Sequence, residues 1–327
     1  MFTIHQLIAQ HGLDGARRLA ATKAERSCID AAAAVLSEPL DRADVGYAVL
    51  ASSCLPHKSL DRSAVPQHWE GRIDNVSIAM DSGCYGDGSL IGIPYGSKAR
   101  IILVYLTTAA VLSSSPQIEL GASMYAWLRG MSAGKFGGMT YRLFAEQARR
   151  IAAMTIRTTV KTDGDSLVLS GHSITELVQA SADPGAQPLY WQPSTPSDFP
   201  HSVVLDQHYW RSAKVHSAAI RLCALRELGN NGAAIDLYVW LAHRLAALEH
   251  AETVDWHQLH VMFGSGYKNL RQMKQPLLNA LQLALAVYPE AQVGVDTTGL
   301  RLMPGAAPVP SALRAPVPHN TPASPPL

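Results

Sequence analysis

Hydrophobic spacing divides the chain into two blocks with the same order of elements. In the first, a turn at Pro94-Tyr95-Gly96 precedes an apolar segment. With Ser97 as its N-cap, this segment predicts a helix to about Leu112. After Gly121, the residues Met124, Trp127, Leu128 and Met131 fall at i, i+3, i+4 and i+7, one face of a second helix. A glycine turn covers Ser132 to Gly138, and a third helix is predicted from about Met139 to Met154. The β-branched run Thr155 to Lys161, the turn Asp163-Gly164-Asp165 and the run Ser166 to Ser170 predict a hairpin. The second block repeats the order. Ile235 to Leu248 carries a helical stripe of Leu237, Trp240, Leu241 and Leu245, and Asp255 can cap a short helix to about Met262. The turn Phe263-Gly264-Ser265-Gly266 leads into a long helix ending near Tyr288, with Pro276 kinking or restarting it. Gln292 to Asp296 and Leu300 to Met303 then bracket the turn Thr297-Thr298-Gly299. Helix, helix, turn, helix, hairpin is the order of a winged-helix domain.

Outside the two blocks the pattern is weaker. Residues 3 to 36 read as Ala-rich helix, interrupted at Gly12 and Gly15 and stopped at Pro39. Asn75 to Met80 and Leu90 to Ile93 read as short strands. The expected fold is therefore α+β, mainly helical, with two tandem winged-helix domains at 85–180 and 203–303. A helical and mixed extension covers 1–84, a Pro-rich linker 181–202, and a disordered tail with eight prolines 304–327.

Composition narrows the chemistry. An apolar fraction of 47% supplies a sizeable core, and the net charge is only +1, so a nucleic-acid site must come from local clustering. Cys28, Cys54, Cys84 and Cys223 form no CxxC pair, which argues against a structural zinc and for isolated thiols in a reducing compartment. The N-terminus lacks the form of a secretory signal, and Ile101 to Leu112 is too short to span a bilayer. A cytoplasmic protein with no membrane partner is expected. The stretch "GKFGGMTYR" does not fit a Walker A loop. Three residues instead of four separate Gly130 and Gly134, Lys135 is followed by Phe136, and the loop follows a helix. No cofactor is expected.

The cations fit DNA better. Lys135 to Lys161 holds six cations against one acid, Glu146, an excess of five in a chain of net charge +1. The predicted third helix has an inner face of Leu143, Phe144, Gln147, Ala148 and Ile151. Its outer side carries Tyr141, Arg142, Ala145 and Arg149, with Arg150 at the edge. In the second block, Lys268, Arg271 and Lys274 follow the glycine turn with no acid between Gly264 and Gln275. A helix in the major groove reads base edges from its N-terminal half while other cations hold phosphates. Thr140, Tyr141, Arg142, Lys268, Asn269 and Gln272 are thus expected at bases. Lys135, Arg149, Arg150, Arg157, Arg271 and Lys274 are expected at phosphates.

The run "GIPYGSKARIILVYLTTAAV…IELGASMYAWLRGM…GGMTYRLFAEQARRIAAMTI" resembles the RepA-type plasmid replication initiators of proteobacteria. So does the later run "FPHSVVLDQHYW…AIDLYVWLAHRLAALE…VDWHQLHVMFGSGYKNLRQMKQPLLNALQLALAVYPEAQVGVD". Together they span about residues 91 to 303. The combination of Pro94-Tyr95-Gly96, Leu120-Gly121, Glu146-Gln147 with Arg149-Arg150, and Ala286-Val287-Tyr288-Pro289 carries the resemblance. It implies sequence-specific binding to double-stranded plasmid origin DNA, often at direct repeats. It also implies two winged helices and hand-over to a host replication initiator and the replicative helicase. Some relatives switch between dimer and monomer, so a homodimer is one expected form. Carried over by the resemblance are Thr140, Tyr141, Arg142, Glu146, Gln147, Arg149 and Arg150, then Gly264, Gly266, Lys268, Asn269, Arg271 and Lys274. The turn "SAGKFGG" departs from the expected pattern by being flexible and basic.

The sequence leaves two alternatives open. A nicking initiator needs paired metal-binding histidines and a nucleophilic tyrosine. His257, His260 and Tyr267 have the wrong spacing and no carboxylate cluster. No other catalytic constellation stands out, so a non-enzymatic protein is expected. A transcriptional regulator would need the same groove contacts, and the resemblance alone favours replication.

Overall fold

The computed structural model describes residues 4–60, 67–120, 138–161, 166–170, 175–176 and 202–315. Outside them lie the predicted helix after Gly121, Lys135 with most of its glycine turn, the hairpin tip at 163–165, the linker prolines and residues 316–327.

Helices α1 (Ile4–Leu19) and α2 (Lys23–Ser37) replace the single N-terminal helical stretch. Gly12 takes φ 65°, a left-handed conformation that kinks α1. Thr22 and Glu25 close a reciprocal capping box that starts α2. The small buried residues Cys28, Ala31 and Ala32 let α2 approach its neighbours closely.

Strand β1 (Val45–Val49) is followed by the hairpin of β2 (His68–Ile73) and β3 (Val76–Asp81). The segment predicted as a strand at Leu90 to Ile93 makes only an isolated bridge between Cys84 and Leu90. Its backbone is instead tied to loops and side chains, with Ile91 N–H donating to Gly83 O and Ile93 N–H to Gln67 Oε1. Helix α3 (Gly96–Leu112) is buried along most of its length. Ser97, read as its cap, lies inside the first turn. Tyr95 takes the N-cap position without a side-chain bond, and Gly96 turns the chain at φ 71°.

Short β4 (Gln117–Glu119) and α4 (Gly138–Ala153) are followed by β5 (Thr155–Lys161) and β6 (Ser166–Ser170). β5 and β6 pair antiparallel over the ranges that alternation predicted. The hairpin is not alone, however. β3 pairs with β5, giving a four-stranded antiparallel sheet β2-β3-β5-β6 that includes two strands from the N-terminal segment.

β7 (Thr175–Glu176) and β8 (Ser202–Leu205) form a small sheet with β4. After α5 (Gln207–His216), β9 (Ser217–Arg221) pairs antiparallel with β1, Val45 facing Arg221. A Cβ at Gly46 would press on the Leu222 side chain, which would have to shift. Helices α6 (Leu222–Leu228) and α7 (Gly232–Arg244) follow. Then come β10 (Glu252–Asp255), α8 (Trp256–Phe263), α9 (Leu270–Ala286), β11 (Val293–Val295) and β12 (Gly299–Leu302). β12 lies between β10 and β11 in one antiparallel sheet. Pro276 sits inside an unbroken α9.

One hydrophobic cluster runs from Ala31 to Leu302 and centres on Trp240, Tyr238, Phe144 and Ile102. A buried ion pair spans it. The Arg100 guanidinium on α3 grips both Asp236 oxygens on α7 at 2.6 and 2.7 Å, and His57 Nε2 lies 2.7 Å from Asp236 Oδ2. The remaining Arg100 N–H groups donate to the carbonyls of Leu55, Pro56 and Gly96. The tail read as disordered is ordered at its start. Val309 is fully buried against Val45, Tyr47 and Ala219, and Tyr288 Oη donates to Ala306 O. An apolar side chain with a waiting pocket outweighs the local bias of the prolines.

Candidate nucleic-acid interface

Helix α4 begins at Gly138 and faces the core with Phe144, Ala145, Gln147, Arg150 and Ile151. The inner stripe is therefore rotated from the expected one. Leu143 is exposed and Ala145 is buried. The pivot is Arg150, read as a phosphate contact but only 6% exposed. Its Nη1 donates to Ile93 O at 3.1 Å, its Nη2 to Glu146 Oε1 at 2.8 Å, and its guanidinium stacks on the Tyr95 ring. Gln147 Oε1 accepts the Tyr95 N–H at 2.8 Å. Tyr95, distant in sequence, thus joins Glu146, Gln147 and Arg150 in one cluster that fixes α4 to the turn before α3. A guanidinium held this way cannot swing out to a phosphate.

The other first-block candidates divide. Arg142 is exposed, Thr140 and Tyr141 are half-buried, and Tyr141 packs on the core. Arg149 donates to Tyr85 Oη at 3.2 Å. Arg157 is exposed on β5. Lys135 is outside the described residues.

In the second block, Asp255 and Gln258 cap α8 reciprocally. Gly264 is needed because a Cβ would collide with the His260 carbonyl. Asn269 caps α9, its Oδ1 accepting the Gln272 N–H at 3.0 Å. Lys268 therefore precedes the helix and does not lie on it, and only the Asn269 amide NH2 remains to meet a ligand. Lys268, Arg271 and Gln272 are exposed at the N-terminal end of α9, and neither cation has an acidic partner among the described residues. Lys274 lies with Nζ 4.2 Å from the Trp256 ring centroid.

The structure also joins the two blocks. A cleft of about 470 Å³ is lined by Arg157 on one side and by Ser265, of the loop before Lys268, on another. A second cleft of about 740 Å³ shares Arg72, Asn75 and Lys161 with it. Arg72 and Lys161 were left out of the expected contacts, although the alternation of "HWEGRI" with "TIRTTVK" is a visible signal. Burial holds the Asp74 carboxyl at the cleft's edge above its ordinary pKa, even though Trp240 Nε1 donates to it at 2.8 Å. Among the described residues no group of three or more His, Cys, Asp or Glu side chains could share a metal. His257 is exposed, and Tyr267 packs on the core. No described helix is long and apolar enough to cross a membrane.

The family model for the plasmid-encoded RepA protein matches residues 93–258. The chain belongs to the plasmid-encoded RepA family. The RepA match begins at the Tyr95 turn, contains the Arg150 cluster and the Arg100–Asp236 pair, and stops before α9. Among solved structures, the chain is similar to RctB domains 2 and 3. One RctB structure has 11% identity and a TM-score of 0.42 over 76% of this chain and 93% of that one. Another, a selenomethionine derivative, has 9% identity and a TM-score of 0.46 over 78% and 95%. No curated protein matches.

Proposed function

We propose that this RepA family member is a non-enzymatic, cytoplasmic plasmid replication initiator. It binds double-stranded origin DNA sequence-specifically and hands the origin to the host initiator and replicative helicase. The observation that carries the DNA reading is the N-terminal end of α9. There Arg271 and Gln272 are exposed on a capped helix that follows a glycine turn, with Lys268 exposed just before the cap. The order α7, β10, α8, α9, β11, β12, with β12 central in its sheet, supports a winged-helix reading of 232–302. α3, α4 and the β5–β6 hairpin support a first such unit. The base-reading set is then Thr140, Tyr141, Arg142, Lys268, Asn269 and Gln272. Arg149, Arg157, Arg271 and Lys274 serve phosphates, and Arg150 is left to the fold.

Footprinting of the purified chain on DNA flanking its gene, at moderate salt with competitor, tests this. Protection of regularly spaced direct repeats is expected. Protection of one promoter-overlapping site alone would make the protein a regulator, and no protection by a folded chain would remove the DNA reading.

A further inference from the structure

The open face of the sheet β2-β3-β5-β6 forms one wall of the joined clefts. Its composition follows from strand alternation. On β5, Arg157, Thr159 and Lys161 share a face. Arg157 is paired with Ala79 and Thr159 with Ser77, and Ser77 is paired in turn with Arg72. Arg72, Arg157 and Lys161 are all exposed around a floor of small residues, Ser77, Ala79 and Thr159. The opposite wall is α8, with Val261 and Met262.

The acids nearby are occupied. Asp74 is engaged by Trp240. Glu252 accepts two bonds from Arg244, at 2.7 and 2.8 Å. Glu70 lies 3.2 Å from His68 Nε2. Three cations on this face therefore stand against one carboxylate, Glu70, which shares it through its pairing with Ala79. The hairpin that supplies Arg72 is anchored at its tip to the second block, where Asp74 N–H points to Met262 Sδ. The cleft is lined from both blocks, and Ser265 in its lining lies three residues before Lys268.

We propose that this cleft clamps the sugar-phosphate backbone of one strand of duplex DNA as it passes from the first block to the N-terminal end of α9. Arg72 and Lys161 neutralise phosphates beside Arg157, and the hydroxyls of Ser77 and Thr159 donate to phosphate oxygens. The clefts are too small to take a whole duplex, so one backbone ridge enters. The N-terminal segment thereby becomes part of the DNA-binding surface. This inference rests on the duplex-binding reading above.

The test uses the full chain and a duplex carrying its footprinted site, with affinity measured across a salt series. Arg72→Ala and Lys161→Ala should each reduce the slope of log K against log salt by about one unit. Arg72→Lys should restore it, and circular dichroism should match the parent for all three. If Arg72→Ala and Lys161→Ala keep the parent slope while Arg271→Ala and Lys274→Ala lower theirs, the clamp is wrong and the duplex reading stands. If the two cleft variants weaken only single-stranded oligonucleotides, the clamp is likewise overturned. If the parent binds no duplex at all, both readings fall together.

Discussion

Asp74 sits at a hairpin turn with φ 47°, its carboxylate buried against the Trp240 indole. Burial raises its pKa in the folded state, so its ionised form weakens the fold. The effect is absent below the unfolded value and grows as pH rises through the folded one. Asn keeps the acceptor for Trp240 and tolerates positive φ. Asp74→Asn is therefore expected to match or exceed the parent in urea unfolding at pH 7, with the difference vanishing near pH 3. Asp74→Ala leaves a buried N–H unpaired and should cost about 1–3 kcal/mol. A loss of the same size in Asp74→Asn would sink this account. Arg150 gives a second residue-level expectation. Arg150→Ala should lower stability by about 1.5–3 kcal/mol, from the lost charged hydrogen bonds, without changing the salt slope of DNA binding in the folded fraction. Arg142→Ala should do the reverse, costing about 1–3 kcal/mol of binding at its preferred base. The inward placement of Arg150 had a sequence signal. It follows Gln147 by three residues and so shares the inner stripe, but its charge suggested an outward role.

Elements with local causes were legible in the chain. The Asp255 cap, the strand limits of β5 and β6, and the glycine before α9 each follow from side chains within a few residues. The cap of α3, the strand at Leu90 to Ile93 and the rotation of α4 escaped, and so did a register detail: Asn269 is the cap of α9, which moves Lys268 off the helix and uses one of the two amide groups read as base contacts. The cap and reader roles can be separated. Asn269→Asp retains the cap acceptor and suits the helix dipole, so thermal stability should hold. The added negative charge at the end facing DNA should nevertheless weaken binding. Asn269→Ala should lose about 1 kcal/mol of stability through the missing cap. Normal DNA affinity in Asn269→Asp would place the N-terminal end of α9 away from the duplex.

At the scale of the whole molecule, two winged-helix blocks with an N-terminal extension was a reading of local order. The structure adds pairings that local order does not encode. The five-residue β1 finds its partner in β9, about 170 residues away, and β2-β3 extends the first block's hairpin into a sheet. Non-local pairing leaves no periodic trace in a strand as short as "VGYAV", and nothing in the helical runs around Arg100 and Asp236, 136 residues apart, marks the two as partners. These links change the expected unfolding. Blocks tied by a flexible linker would melt separately, whereas blocks sharing one core, a strand pair and a buried ion pair should melt together. Asp236→Ala leaves the Arg100 guanidinium buried without its carboxylate and should cost about 3–5 kcal/mol. Because Asp236 joins α7 to α3, the loss should appear as one transition moved to lower temperature, with indole fluorescence and far-ultraviolet dichroism shifting together. Two transitions, of which only one moves, would mean that the β1–β9 ribbon and the Arg100–Asp236 pair do not couple the blocks. The cleft between the sheet and α8 would then lack the rigidity that a backbone clamp requires.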